Sequence, residues 1–203
     1  DIILTCYEPI TARVIGAAKR LKGIVKNGVG VDSIDVAAAT ERGIPLVHCP
    51  DYGSDTVADH CFALLIALAR KVVLLNNTMK QQGWMWPEPK YQGVDINGKT
   101  IGIIGLGRIG TAMARRCQGF GMKIVAYDPY VDQNPTGWDD LSFVPFNELL
   151  VCSDFIAPLC VLTDETDGMV GQEEFVIMKK NVFLIDVSRG AIVDKAALIE
   201  ALE

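Results

Sequence analysis

A basic surplus is the first thing this sequence lacks. Its 203 residues carry 19 Lys+Arg against 25 Asp+Glu, a formal net charge of −6, with a sequence pI near 5.0. Nucleic acid is bound largely by clustered cations that displace counterions, so no nucleic-acid partner is expected. Long apolar runs are missing as well. The longest, Cys61 to Ala69, covers nine residues before Arg70-Lys71, far short of the ~20 that a membrane-spanning helix requires. No signal peptide is visible, and no membrane partner is expected. The six cysteines (Cys6, Cys49, Cys61, Cys117, Cys152, Cys160) include no C-x-x-C pair. Set within apolar runs, they read as reduced, buried thiols of a cytoplasmic protein rather than a disulfide framework. Internal repeats and low-complexity tracts are absent. At 50% hydrophobic and 22% charged, the composition also excludes disorder, collagen and coiled coil.

What is present is an alternation of short β-branched runs with longer helical patterns. Strands are predicted at Ile2–Thr5, Gly23–Val25, Leu46–His48, Thr100–Ile104, Lys123–Tyr127, Phe155–Ala157 and Val182–Asp186. Helices are predicted at Ala12–Leu21, Ser33–Arg42 with Ser33 as N-cap, Asp55–Met79, Arg108–Phe120, Asn147–Val151, Gln172–Lys179 and Asp194–Leu202. Gly43 and Gly121 stand where helix ends call for them. Apolar strands alternating with helices indicate an α/β fold whose parallel sheet is covered on both faces. Asp55–Met79 is long and apolar, and reads either as a core helix or as one that buries surface against a second subunit. A stretch rich in Gly, Pro and Trp follows it, Gln81 to Lys99, containing Gly83-Trp84-Met85-Trp86-Pro87. We expect a first domain to end near residue 50 and a second to occupy 51–203. The chain opens at Asp1 in an apolar run and stops at Glu203 inside a helical pattern, so a fragment of a longer protein is expected.

Thr100–Ile104 runs into Gly105-Leu106-Gly107-Arg108-Ile109-Gly110 and then a helix. This is a G-x-G-x-x-G between a strand and a helix, with a second strand, Lys123–Tyr127, at βαβ distance. That context makes it a dinucleotide-binding fingerprint. Gly105 allows the tight turn, Gly107 lets the backbone approach a pyrophosphate, and Gly110 lets the helix pack on the strand. Free N–H groups and the positive helix end would hold the phosphates. Asp128, eighteen residues beyond Gly110, can accept hydrogen bonds from ribose hydroxyls and repel a 2′-phosphate. The cofactor expected is therefore NAD rather than NADP, on a Rossmann-type doubly wound sheet.

Asn27-Gly28-Val29-Gly30-Val31-Asp32-Ser33-Ile34-Asp35, Ala39-Thr40-Glu41-Arg42-Gly43-Ile44-Pro45, Val57-Ala58-Asp59-His60, the glycine loop, Phe120-Gly121-Met122 and Ser188-Arg189-Gly190-Ala191-Ile192-Val193-Asp194 follow one another in an order that resembles the D-isomer-specific 2-hydroxyacid dehydrogenases. Pro50-Asp51-Tyr52-Gly53 and Asp128-Pro129-Tyr130 resemble the branch named after C-terminal binding protein. The resemblance implies part of a flavodoxin-like α/β substrate domain in residues 1–50 and an incomplete NAD-binding domain in 51–203. It also implies reversible NAD-linked reduction of a 2-keto acid to a D-2-hydroxy acid, or alternatively an NAD(H)-sensing corepressor-type interaction protein; a homodimer is expected from the apolar surface of Asp55–Met79.

The resemblance further implies that Arg189 grips the substrate carboxylate and carbonyl oxygen, a task suited to a planar guanidinium fork. Arg108 and Ile109 would touch the pyrophosphate, Cys160, Val161 and Thr166 the adenosine side, and Val187 with Ser188 the nicotinamide side. Gly28, Val29 and Gly30 match the loop that meets substrate and nicotinamide, although an ordinary tight turn explains the same residues. Lys26 either adds charge toward an anionic substrate or is solvated. Two positions depart from the family pattern: Leu159-Cys160-Val161 replaces His-x-Pro, and Asp186 stands where Asn is usual. The family's proton-donating His and its Glu partner fall downstream of Arg189, and only fourteen residues follow that arginine here. His48 and His60 lie far upstream, with His60 expected to serve packing or capping. His48, Cys49, Asp51, Asp59 and His60 lack recognised metal-ligand spacing, so no metal is expected.

Overall fold

The computed structural model describes residues 1–86, 88–131 and 140–203; Pro87, named above, lies outside them. The chain divides into two compact units, Asp1–Ser54 and Asp55–Glu203.

In the first unit, strands β1 (Ile2–Thr5), β2 (Gly23–Lys26) and β3 (Leu46–Val47) form a parallel sheet in that order. Helices α1 (Ala12–Ala17) and α2 (Val36–Glu41) connect them. Ile10, Ile15, Leu21, Ile24, Ile34, Ala39 and Ile44 make its core. Helix α1 stops at Ala17 rather than Leu21, because the Arg42 guanidinium donates to the carbonyls of Ile15 and Ala18. The Ile15 carbonyl lies in the last turn, the Ala18 carbonyl also accepts from Leu21 N at 3.1 Å, and a cation suits that end of the helix dipole. The start of α2 also differs from expectation. Asp35, not Ser33, is the N-cap, its Oδ1 accepting from Ala38 N at 2.9 Å.

The second unit carries a five-stranded, all-parallel sheet in the order β6-β5-β4-β7-β8. Its strands are β4 (Thr100–Ile104), β5 (Lys123–Tyr127), β6 (Leu141–Phe143), β7 (Phe155–Pro158) and β8 (Phe183–Leu184). The chain leaves central β4 toward β5 and β6, then crosses back to β7 and β8, so the sheet is doubly wound about β4. Both faces are apolar, as parallel sheets require. Ile101, Ile103, Ile124, Ala126, Phe155 and Ala157 pack with α3 (Ser54–Ala69) and α5 (Arg108–Gly119). The alternate residues Ile104, Val125 and Ile156 pack with α6 (Phe146–Cys152) and residues around α7 (Gln172–Ile177) and α8 (Lys195–Leu202). Asp154 ties three strands together at their N-terminal ends. Its Oδ2 accepts from Thr100 N and its Oδ1 from Lys179 Nζ, both at 2.9 Å, while its carbonyl accepts from Phe183 N at 3.0 Å.

The helix expected over Asp55–Met79 is two helices, α3 and α4 (Val72–Gln82). Arg70-Lys71 is the break, and its cause lies far along the chain. Val94 N donates to the Ala69 carbonyl at 2.8 Å, taking an acceptor at the end of α3. Asp95 pairs with Arg70 at 3.0 Å, and the Lys71 ammonium donates to the Lys90 carbonyl at 2.8 Å. Lys71 itself adopts φ 53°, ψ 33°. Buried Ala58, Cys61, Leu65 and Ala69 make the inward stripe of α3, at the spacing of one helical face. Beside it, Arg116 of α5 clasps the outward Asp59 at 2.5 Å and Asp55 at 3.3 Å.

The cysteines are less buried than their apolar settings suggest. All six are free thiols, but only Cys61 and Cys117 are buried, Cys49 is exposed, and the rest are intermediate. Burial pushes Cys61 and Cys117 up to about 12, which leaves them as inert apolar fillers at neutral pH. Among the described residues, no helix is long and apolar enough to cross a membrane.

The left-handed backbone at Lys71 gives a test with opposite signs. A non-glycine residue there costs roughly 1–2 kcal/mol, and a β-branched one more. Lys71→Gly should raise the urea midpoint of unfolding and Lys71→Val should lower it. Equal midpoints would mean that the break is not strained.

Candidate cofactor and substrate site

All strands of the five-stranded sheet run the same way, so the loops leaving β5, β4, β7 and β8 emerge at one edge. That edge lies outside the C-terminal ends of the strands, where the winding reverses, and there open α/β sheets bind their ligands. Each sequence-predicted site residue of the second unit sits on one of these four loops or, for Arg108, Ile109 and Gly110, on the first turn of α5.

The β4 loop is the glycine turn. Gly105 has φ +94°, and a side chain there would meet the backbone of Cys160 at 2.8 Å, where the chain leaving β7 crosses. A side chain at Gly110 would collide with the carbonyl oxygen of Gly105. Around Gly107 a side chain would meet nothing within 4 Å, so the approach to the helix start is open. Gly107 caps α5 without a side-chain hydrogen bond, so no capping side chain covers the positive helix end, which suits an anion. Arg108 is exposed on this first turn, and Ile109 is half-buried against the core.

At the end of β5, the Asp128 carboxylate is fixed by backbone donors. Oδ2 accepts from Leu106 N at 2.9 Å and Oδ1 from Tyr130 N at 3.0 Å. One contact ties it to the glycine turn and the other to its own loop. Each oxygen keeps a lone pair for a further donor, as ribose hydroxyls would need.

After β7, Leu159 N continues the ladder to Ile104 O at 2.7 Å. Leu159 packs on the core, and Cys160 is half-buried against Met169. Burial and the charges of Asp186 and Asp128 raise the Cys160 thiol, so it lines the cleft as a neutral group. Val161 is exposed. The Thr166 hydroxyl is occupied within its own loop, donating to Val161 O at 2.7 Å and accepting from Thr163 N at 2.8 Å.

Beyond β8 comes Asp186, the position for which the sequence suggested no purpose. Its Oδ1 accepts from both the N–H (2.8 Å) and the hydroxyl (2.6 Å) of Ser188. This side chain therefore folds the turn that presents Arg189, which is exposed and donates to the Ser188 carbonyl at 2.9 Å. Val187 lies half-buried against the core. A short polar residue bonding to the backbone two positions on is a recognised turn signal, and it could have singled out Asp186.

In the first unit, the residues predicted to meet substrate form the loop after β2. Lys26 is not solvated. It is 7% exposed, and its ammonium donates to the Cys6 carbonyl and to the Ser33 hydroxyl at 3.1 Å. These contacts close the loop that holds Gly28, Val29 and Gly30 from both sides. His48, left without a role by the sequence, donates through Nδ1 to Val29 O at 2.8 Å, and Cys49 N donates to Gly28 O at 3.1 Å. His60, expected to pack or cap, is exposed on α3, since Ala58 and Cys61 take the inward positions beside it. No group of three or more His, Cys, Asp or Glu among the described residues could hold a metal ion.

Residues 62–203 match the family described as D-isomer specific 2-hydroxyacid dehydrogenase, NAD binding domain. The chain belongs to that family. Among its relatives is a D-3-phosphoglycerate dehydrogenase of Archaeoglobus fulgidus, 41% identical over 202 residues, covering 100% of this chain and 38% of the relative. A glyoxylate reductase of Korarchaeum cryptofilum is 41% identical over 198 residues, covering 97% of this chain and 60% of the relative. The crystal structure of an Aquifex aeolicus D-lactate dehydrogenase complexed with NAD and lactic acid superposes with TM-score 0.93 at 32% identity, covering 99% of this chain and 60% of that one. The chain thus spans between about two fifths and three fifths of these proteins. It carries the NAD-binding domain of this 2-hydroxyacid dehydrogenase family, with the open helix start, the fixed acid and the crowded glycine turn that the dinucleotide requires.

The crowding at Gly110 can be tested directly. Gly110→Ala must push α5 off the turn, and overpacking of this kind costs roughly 1–3 kcal/mol. The variant should lose at least about ten-fold in NADH affinity by fluorescence titration while keeping its circular dichroism. Unchanged affinity would mean that the turn does not set the helix start that holds the cofactor.

Proposed function

We propose that this chain is part of an NAD-dependent oxidoreductase acting on the CH–OH group of D-2-hydroxy acids, with residues 1–50 belonging to the substrate domain and 51–203 to the cofactor domain. The observation that carries the reading is the turn folded by Asp186, which sets Arg189 on the same sheet edge as the glycine turn and Asp128. When bound, the nicotinamide supplies or accepts the hydride at the substrate's C2. The chain's own residues bind and orient. The helix start with Arg108 and Ile109 holds the pyrophosphate, Asp128 the ribose hydroxyls, Cys160, Val161 and Thr166 the adenosine side, and Val187 with Ser188 the nicotinamide side. Arg189 pairs with the substrate carboxylate and polarises the carbonyl, as a planar guanidinium can. Gly28, Val29 and Gly30 offer backbone donors to the substrate, on a loop held in place by Lys26. The substrate is a small 2-keto or 2-hydroxy acid, and the protein works in the cytoplasm. The enzyme names of the two relatives and of the solved structure favour this reading over a corepressor-like sensor.

We assign the proton donor to neither histidine: His48 ties its loop through Nδ1 to the Val29 carbonyl, and His60 is exposed on α3. The relatives are longer than this chain, and we place the proton donor in a further segment of the whole protein. Losing general acid catalysis alone costs roughly 10²–10⁴ in rate. Residues 1–203 should therefore bind NADH yet show no keto-acid-dependent loss of NADH absorbance. In the whole protein, Arg189→Ala should abolish most turnover and spare NADH affinity. Robust turnover by residues 1–203 would overturn this division of roles.

We also propose a two-fold homodimer through α3 and α4. Leu64, Leu68, Val72, Val73, Leu74 and Met79 are exposed there, apolar side chains that a second copy of the chain would cover. Light scattering at micromolar concentration should give twice the chain mass, and Leu68→Glu should give the single-chain mass. A folded wild-type monomer would overturn the assignment.

A further inference from the structure

Tyr130 follows β5 and Glu165 follows β7, and because the sheet runs β5-β4-β7, a bond between them crosses the end of β4, where the glycine turn begins. That bond exists: Tyr130 Oη donates to Glu165 Oε2 at 3.0 Å. Both of its ends are anchored. Tyr130 N is held by Asp128 Oδ1, whose partner oxygen takes Leu106 N of the glycine turn. Glu165 adjoins Thr166, whose hydroxyl closes the loop from Val161 to Thr166. Glu165 is thus an exposed acid held across the end of β4 toward the loop that carries Asp128. The bond and the charge of Glu165, with a smaller contribution from Asp128, raise the Tyr130 phenol above its ordinary value, so it remains a donor across the neutral range.

We infer that Glu165, held by Tyr130, is a second determinant of cofactor choice, which together with Asp128 excludes a 2′-phosphate from the adenosine end of the cleft. This rests on the NAD-binding reading above and adds to it. A 2′-phosphate displaced from Asp128 toward the β7 side meets the carboxylate of Glu165, so moving within the cleft does not relieve the repulsion. Charges separated by less than a Debye length of roughly 8 Å are not screened away. The bond also withholds a donor. The only proton on Tyr130 Oη is spent on Glu165, and the phenol oxygen offers an incoming phosphate nothing but lone pairs. An uncharged ribose hydroxyl can donate instead, and suffers neither penalty.

The test is a pair of fluorescence titrations of the 203-residue chain, one with NADH and one with NADPH, repeated on Glu165→Gln and Tyr130→Phe. Glu165→Gln keeps the shape and the acceptor and removes the charge. It should tighten NADPH about ten-fold and leave NADH within about two-fold, as expected for deleting one nearby charge. Tyr130→Phe, which frees the Glu165 side chain without neutralising it, should shift the NADPH to NADH ratio in the same direction by less. The gain in Glu165→Gln should shrink in 1 M NaCl. An unchanged ratio in both variants, or equal weakening of both cofactors, overturns the inference and leaves Glu165 as a structural loop residue. If the wild-type chain binds neither cofactor, the NAD-binding reading falls and takes this inference with it.

Discussion

Backbone lies directly on backbone where α5 leaves the glycine turn, and the cofactor edge is arranged around that contact. Gly110 is pressed against the Gly105 carbonyl, and Gly105 is itself crossed by the backbone of Cys160 coming off β7. Helix, turn and neighbouring strand therefore meet at one point with no side chain between them. The start of α5 is fixed relative to β4 and β7 together, at the edge where the sheet reverses its winding. With side chains at these positions the same elements could form, but the helix start would stand away from the sheet edge.

Around this point the loops are held by short polar side chains bonded to backbone. Asp128 joins the β5 loop to the glycine turn, Thr166 closes the loop after β7, and Asp186 folds the turn before Arg189. In the other unit, Lys26 and His48 do the same for the Gly28–Gly30 loop. Hydrogen bonds that involve a charged group contribute more than neutral ones, about 1.5–3 kcal/mol. Such bonds can keep a binding loop in one shape without the apolar packing that would fill the site.

The glycine turn, its flanking strands and Asp128 could be read from the sequence because their signals are local: a buried run, three glycines at fixed spacing, then an acid at the end of the next strand. What escaped was set by residues distant in sequence. The break at Arg70-Lys71 depends on Val94 and Asp95, and the early end of α1 depends on Arg42. Strand β6 is three residues with a serine in the middle, too short to show a period. Lys26 read as a candidate surface cation because nothing near it in sequence announces the Cys6 carbonyl or the depth of its burial. Asp186 and the Asp35 cap of α2 could have been recovered, since their partners Ser188 and Ala38 are only two and three residues away.

The same kind of bonding at the opposite edge of the sheet makes the fold sensitive to acid. Burial alone would raise the Asp154 carboxyl, but the Thr100 N–H and the Lys179 ammonium outweigh it and hold the group below its ordinary value. A carboxyl lowered on folding binds its proton less readily folded than unfolded, so its stabilisation is complete above the unfolded value, near 3.9, and is lost as pH falls through the folded one. Protonation takes the counter-charge from Lys179 and weakens the acceptor that Thr100 N uses, at the residue that joins β4, β7 and β8. Acid should therefore loosen the sheet at the end remote from the cofactor, where β4, β7 and β8 are joined.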